Sequence, residues 1–280
     1  MPGYRYVVAD VFTDEPLQGN QLAVFTDARG LGDETMQALA LEMGFSETTF
    51  VLPPEQGGTA RVRIFTPWTE LPFAGHPILG TAWVLAAPLQ RSTVDLETGR
   101  GLVPVELERD DSGAITFGRM NQPLPGVEPY PEPDRLLRAL GVSATRLPVE
   151  RYDNGAVHTL ACLGSPDEVR GLRPDIAALE TLEVAVSCFA GAGSNWKTRM
   201  FAPMFGIAED PATGSAAGPL AVHLCRHGLV EWDTWIEISQ GAEIGRRSTL
   251  HARAERADGE LLRVVVGGAA VVVARGEFRL

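Results

Sequence analysis

Two stretches of this chain follow one order of residue types, and that duplication constrains the fold more than any other feature. Residues 63–85 read RIFTPWTELPFAGHPILGTAWVL and residues 199–224 read RMFAPMFGIAEDPATGSAAGPLAVHL. Arg63-Ile64-Phe65-Thr66-Pro67 answers Arg199-Met200-Phe201-Ala202-Pro203. Pro72-x-x-Gly75-His76 answers Pro211-x-x-Gly214-Ser215, and Leu96-Glu97-Thr98-Gly99 answers Ile238-Ser239-Gln240-Gly241. The spacing between the copies grows slightly along the chain, as small loop insertions would produce. Each copy reads as an apolar strand stopped by proline, a loop, a glycine opening an apolar helix, a strand and a turn. A unit of this length present twice predicts two similar lobes rather than a solenoid. Related by a pseudo-twofold, the lobes could aim both helix starts into one cleft.

The rest of the chain fits that plan. Its 280 residues allow one large or two ordinary domains. Prolines 123, 125, 129, 131 and 133 crowd one segment that resists helix and ladder formation, so the lobe boundary is placed there. The expected lobes are 1–125 and 126–265, with the valine-rich 266–280 returning to the first. Asp33 to Met43 has helical spacing and ends at Gly44, and Phe45 to Leu52 reads as a strand carrying Glu47. A net charge of −12 argues against nucleic acid or an anionic membrane as partner. A small anionic ligand stays admissible, because nearby dipoles outweigh distant charge beyond a Debye length of about 8 Å. Cys162, Cys188 and Cys225 form no close-spaced metal or redox motif, which fits a reducing cytoplasm. No apolar signal core opens the chain, and no run is long enough for a membrane helix.

Several residues can carry chemistry. Glu is depleted in strands, and on a strand Glu47 would share a face with Phe45, Thr49 and Val51. Burial of that face would raise its pKa and leave a carboxyl able to take and return a proton. The pattern alone equally allows an edge-strand Glu facing water. Gly75 and His76 open one apolar helix, Gly214 and Ser215 the other, and Asp210 precedes the second. Asp, Thr and Ser cap helix starts, and free N–H groups with the helix dipole also favour an anion. At such a start a neutral imidazole is favoured, which suits His76 to bond a hydroxyl or carboxylate. Asp210 could cap the helix or accept from a substrate amine, and Ser215 could donate to a carboxylate.

Other candidates carry less. Ser215 lies outside any G-x-S-x-G motif, which disfavours a nucleophile. His158 and His251 lack context. His223 and His227, four apart, read as helix-surface residues rather than a metal pair, with no H-E-x-x-H pattern. Gly191-Ala192-Gly193 lacks a full dinucleotide fingerprint. No metal and no cofactor is expected.

Glu47 in GFSETTFV, the PFAGHP loop, EDPATGSAAGP, the opening DVFTDEPLQGNQLAVF, CFAGAG and the late QGAEIGR together resemble the PhzF-type phenazine-biosynthesis isomerases. The likeness covers nearly the whole chain. GNQLAV departs from the family's GNPxAV at what reads as a loop. The resemblance implies an α+β fold of the diaminopimelate epimerase-like type, with two pseudo-symmetric lobes. Each would be a curved, mainly antiparallel sheet or barrel around a central helix. It makes Glu47 the proton-shuttling residue. Gly75, His76, Asp210, Gly214 and Ser215 become substrate-binding residues. It also implies a homodimer, in the cytoplasm that the cysteines and the lack of a signal core suggest; the sequence offers Trp232 and Trp235 as exposed aromatics for its interface, and both could equally be core. In epimerase and racemase relatives a cysteine precedes each key glycine. Here Ala74 and Thr213 stand there, which argues against a two-thiol racemase.

The function implied is a cofactor-independent isomerase of trans-2,3-dihydro-3-hydroxyanthranilate. Glu47 would take the proton from the hydroxyl-bearing ring carbon and return it on the same face, and the enol formed would become a reactive ketone. Two other readings stay open: the same fold acting on another small cyclic or amino acid, and a non-catalytic ligand-binding or scaffold protein.

Overall fold

A computed structural model describes residues 3–280. They divide into two compact units: one runs to Asn121 and takes up Gly267–Leu280, the other is Gln122–Val266.

In the first unit, Gly3–Val11 pairs antiparallel with both Asn20–Phe25 and the closing strand Ala270–Arg279. Asn20–Phe25 runs parallel to Glu47–Leu52, which pairs antiparallel with Ala60–Phe65. Ala60–Phe65 takes the short Glu70–Leu71 antiparallel and Thr93–Thr98 in parallel. Thr93–Thr98 then turns back on Gly101–Arg109.

The second unit repeats those polarities. Glu150–Asp153 pairs antiparallel with Val157–Cys162 and with Gly126–Pro129. Val157–Cys162 runs parallel to Val186–Ala192, which pairs antiparallel with Asn195–Ala202. Asn195–Ala202 takes the short Ile207–Asp210 antiparallel and Ile236–Gln240 in parallel, and the last turns back on Ser248–Ala257. The duplicated sequence is thus a duplicated strand order in an α+β fold.

Parallel neighbours need a crossover, usually helical. Asp33–Met43 provides one in the first unit, and Pro166–Gly171 with Ile176–Thr181 provides its counterpart. The helices Gly75–Leu89 and Gly214–Arg226 provide the others. Both are buried round nearly their whole circumference, which is why they lack a polar face. At Gly80 a Cβ would lie 2.7 Å from side-chain carbons of both Val11 and Leu22, so the strands can approach only a bare backbone.

The repeated arginines make the same fork in both units. Arg63 donates from Nε and Nη2 to Glu70 Oε1 and Oε2 at 2.7 and 2.6 Å. Arg199 donates likewise to Glu209 at 2.9 and 2.7 Å, and Nη1 also reaches the Leu172 carbonyl at 2.8 Å.

Several expectations are corrected. The strand carrying Glu47 begins at Glu47 itself, so Phe45 lies outside it. Gln21, expected in a loop, sits in Asn20–Phe25 opposite Asp10. The proline-rich segment does form a ladder, Gly126–Pro129, with Pro129 at its end opposite Glu150. Trp232 and Trp235 are half-buried, under the guanidinium groups of Arg256 and Arg253 respectively. Among the described residues, no helix is long and apolar enough to cross a membrane.

Candidate active site

The first unit brings Glu47 and His76 together. Glu47 opens its strand next to Ser46, and its side chain keeps 13 % of its surface accessible. Burial pushes the carboxyl up to about 7, with the Ser46 hydroxyl pulling the other way. Glu47 Oε2 is buried, meets no hydrogen-bond partner among the described residues, and lies 3.6 Å from His76 Nε2. An ionisable oxygen left in that state is what a proton carrier requires, since nothing holds it in one protonation state.

His76 is the second residue of the helix Gly75–Leu89 and is buried. Its Nδ1 lies 3.3 Å from Asn20 Nδ2. Asn20 Oδ1 accepts from Ser46 Oγ at 3.1 Å, which turns the amide's N–H toward the imidazole. With the amide in that orientation Nδ1 accepts, and a neutral ring carries its proton on Nε2, facing Glu47. Asn20 and Ser46 are missing from the sequence-derived site. The pair Gly19-Asn20 reads as loop punctuation, and only the parallel pairing of Leu22 with Glu47 brings it beside the carboxyl.

Thr213, a capping residue type, does not cap the second central helix. Ala74 and Thr213 occupy the N-cap positions, and neither makes a side-chain cap hydrogen bond. Thr213 instead donates its hydroxyl to Asp210 Oδ2 at 2.5 Å and accepts from Gln240 Nε2 at 2.9 Å. Gln240 Nε2 also reaches the Asp210 carbonyl at 2.8 Å, and Gln240 Oε1 accepts from Thr198 Oγ1 at 3.0 Å. The Thr213 hydroxyl is therefore engaged with the Asp210 carboxylate rather than with its own helix start. Neither N-cap side chain takes up the first N–H groups of its helix, and such N–H groups favour an anion.

Ser215 sits in the first turn of its helix, buried, with its hydroxyl 3.0 Å from His158 Nε2. His158 had no sequence signal. It lies in a strand far from Ser215 in sequence, and only the fold joins them.

The second unit also gathers Glu150, His223 and His227. Glu150 Oε2 lies 3.0 Å from His223 Nδ1 and 3.1 Å from His227 Nε2, and accepts from Tyr152 and Arg226 at 2.9 and 3.0 Å. His223 is completely buried, which corrects its reading as a helix-surface residue. The donor set suits zinc, but its surroundings do not. Arg226 brings its charge to the same oxygen, and a metal on Nδ1 would force the ring proton onto buried Nε2, which has no partner among the described residues. Thiol chemistry has no support either. Burial raises Cys188 to about 12 and Cys225 to about 11, and raises Cys162 as well.

Known proteins resemble this chain over nearly its whole length. The family model described as phenazine biosynthesis-like protein matches residues 9–276. A trans-2,3-dihydro-3-hydroxyanthranilate isomerase from Pseudomonas aeruginosa is 50 % identical over 278 residues, 99 % of this chain and 100 % of that protein. One from Pseudomonas fluorescens is 48 % identical with the same coverage. Among solved structures, one described as a predicted epimerase from Pseudomonas aeruginosa is 32 % identical, with TM-score 0.83 over 98 % of this chain and 99 % of that one. A hydroxyproline epimerase from Agrobacterium vitis shares the fold alone, with TM-score 0.67, 12 % identity, and coverage of 98 % and 92 %. Full-length matches of this order leave one conclusion: the chain belongs to the phenazine biosynthesis-like protein family.

Proposed function

We propose that this chain is an isomerase of trans-2,3-dihydro-3-hydroxyanthranilate, and that Glu47 carries the proton. The observation that bears most weight is the Glu47 carboxyl, pushed by burial to about 7 and left with a buried oxygen beside His76. A group with that pKa both accepts a carbon-bound proton and gives it back near neutral pH. In this reading Glu47 removes the proton from the hydroxyl-bearing ring carbon as the double bonds shift. It returns the proton to another carbon on the same face, and the enol so formed tautomerises to a ketone. Glu47 moves one proton from carbon to carbon, the tautomerisation moves the enol's hydroxyl proton to carbon, and no electron is gained or lost. Gly75 and His76 bind the substrate, with the His76 Nε2–H serving its hydroxyl. Asp210, Gly214 and Ser215 are the second unit's substrate-binding residues. A homodimer in the cytoplasm goes with the reading, and sedimentation as a monomer at micromolar concentration would remove the dimer.

The test is turnover of that compound by purified protein, followed by proton NMR of the ring. An isomerised ring is expected from the wild type and none from Glu47→Gln. Full-length identity near one half to isomerases of this compound favours it over other small acids. A two-thiol epimerase reading is disfavoured by Ala74 and Thr213 at the two helix starts.

A further inference from the structure

His158 is buried in the strand Val157–Cys162, and two facts decide where its proton sits. Burial pushes its pKa down to about 4, with the Asp153 charge opposing, so near neutral pH the ring is uncharged and carries one N–H. Its Nε2 lies 3.0 Å from Ser215 Oγ, while its buried Nδ1 meets no hydrogen-bond partner among the described residues. A proton on Nδ1 would be a buried donor with nothing to bond. A proton on Nε2 bonds the serine oxygen and leaves Nδ1 as an unpaired acceptor. Orphaned buried N–H groups are the rarer case, and leaving one costs its full desolvation. The ring therefore donates from Nε2, and the hydroxyl of Ser215 accepts.

That assignment fixes what Ser215 can do. Its carbonyl accepts from Asn154 Nδ2 at 2.9 Å, replacing the N–H that Pro219 lacks four residues on. The carbonyl of Gly214 accepts from Gln122 Nε2 at 2.8 Å, and Asn154 Nδ2 reaches Gln122 Oε1 at 3.2 Å. Buried amides thus hold the backbone of the turn, and the hydroxyl proton is what remains to be oriented. With His158 as donor, that proton cannot point back at the ring. The same arrangement bars His158 from acting as a base toward Ser215, because a protonated Nε2 has no lone pair to accept with.

We propose that His158 is a positioning residue: it holds the Ser215 hydroxyl so that its proton is presented to an anionic group of the substrate, a carboxylate. The inference rests on the isomerase reading, in which Ser215 touches substrate.

Two measurements test it. Nitrogen NMR of histidine-labelled protein, assigned with His158→Gln, should show His158 protonated at Nε2. Protonation at Nδ1 overturns the inference whatever the enzyme does. In steady-state kinetics, Ser215→Ala and His158→Leu should each raise KM roughly tenfold with kcat within about twofold. The double variant should be no worse than Ser215→Ala, since one residue acts through the other. His158→Gln, which can donate from nearly the same place, should recover most of the loss. Multiplying effects of the two single variants, or no rescue by Gln, would show a separate structural role and overturn the proposal. A wild type that leaves the dihydro-hydroxyanthranilate unchanged would sink the isomerase reading instead, while the NMR result still decides the hydroxyl's orientation.

Discussion

Glu47 Oε2 and His76 Nε2 stand 3.6 Å apart, too far for a hydrogen bond and close enough for one ring carbon and its hydroxyl to meet both. In the proposed reading the pair divides the work: the carboxylate moves the proton and the imidazole N–H holds the oxygen. Glu47→Gln should therefore bind substrate with little change and lose turnover by roughly 10²–10⁴-fold, the range for a general acid–base. Glu47→Asp keeps the charge but withdraws it by one methylene, so kcat should fall while KM stays nearly constant. His76→Ala should raise KM and leave a measurable acid limb in the pH profile. Steady-state kinetics of the three variants checks this division. An acid limb lost in His76→Ala and retained in Glu47→Asp would reverse the two roles.

The elevated carboxyl sets the pH dependence. If Glu47 carries the proton as proposed, turnover needs it ionised in the free enzyme, so kcat/KM should fall on the acid side with an apparent pKa near 7, not near the 4.5 of an ordinary Glu. A pH–rate profile between pH 5 and 9 reads it directly.

The same shift has a stability consequence with a definite sign. The folded-state pKa lies above the unfolded one, so Glu47 favours the fold below pH 4.5, where both states hold the proton. That contribution fades as pH rises through about 7, and above it the buried carboxylate costs on the order of 3 kcal/mol relative to the acid. Glu47→Gln cannot ionise. It should melt above the wild type at pH 8, by roughly 5 °C or more, and match it near pH 4. Calorimetry at the two pH values checks this, and an equal difference at both would contradict it.

Much of this was legible in the sequence, and what was not has a physical reason. The duplication, the helix Asp33–Met43 and both glycine-led helices are local patterns, and they stand where the sequence places them. Glu47 stood out through the family resemblance, since its local pattern, Ser46-Glu47-Thr48-Thr49, equally allowed an edge-strand residue facing water. The groups around it did not, because Asn20 and His76 come from separate elements, and a parallel strand pairing is what brings Asn20 beside Glu47. The capping reading failed for a related reason. Thr213 has the right chemistry for a cap, but a buried Gln240 and Asp210 claim its hydroxyl. His158 and Ser215 meet only once two strands and a helix have packed.

The twin arginine forks should differ in worth, because burial differs. The Arg199 and Glu209 side chains keep 6 % and 10 % of their surface, and those of Arg63 and Glu70 keep 16 % and 42 %. Removing one partner of a buried pair strands a charge and costs about 3–5 kcal/mol, whereas an exposed pair contributes about 0–1 kcal/mol. Arg199→Met should lower the urea midpoint much more than Arg63→Met. Equal losses would show that the repeat, not its burial, sets the energetics.

Proton tracing tests the central claim most directly. Wild-type protein is incubated with trans-2,3-dihydro-3-hydroxyanthranilate in deuterium oxide, beside Glu47→Gln, with binding of each measured by calorimetry. The wild type should isomerise the ring, with any deuterium confined to two carbons: the one that Glu47 reprotonates and the one that takes up a proton as the enol becomes a ketone. Glu47→Gln should bind the compound and leave its ring protons in place. Undiminished isomerisation by Glu47→Gln, or none by the wild type, would contradict the account.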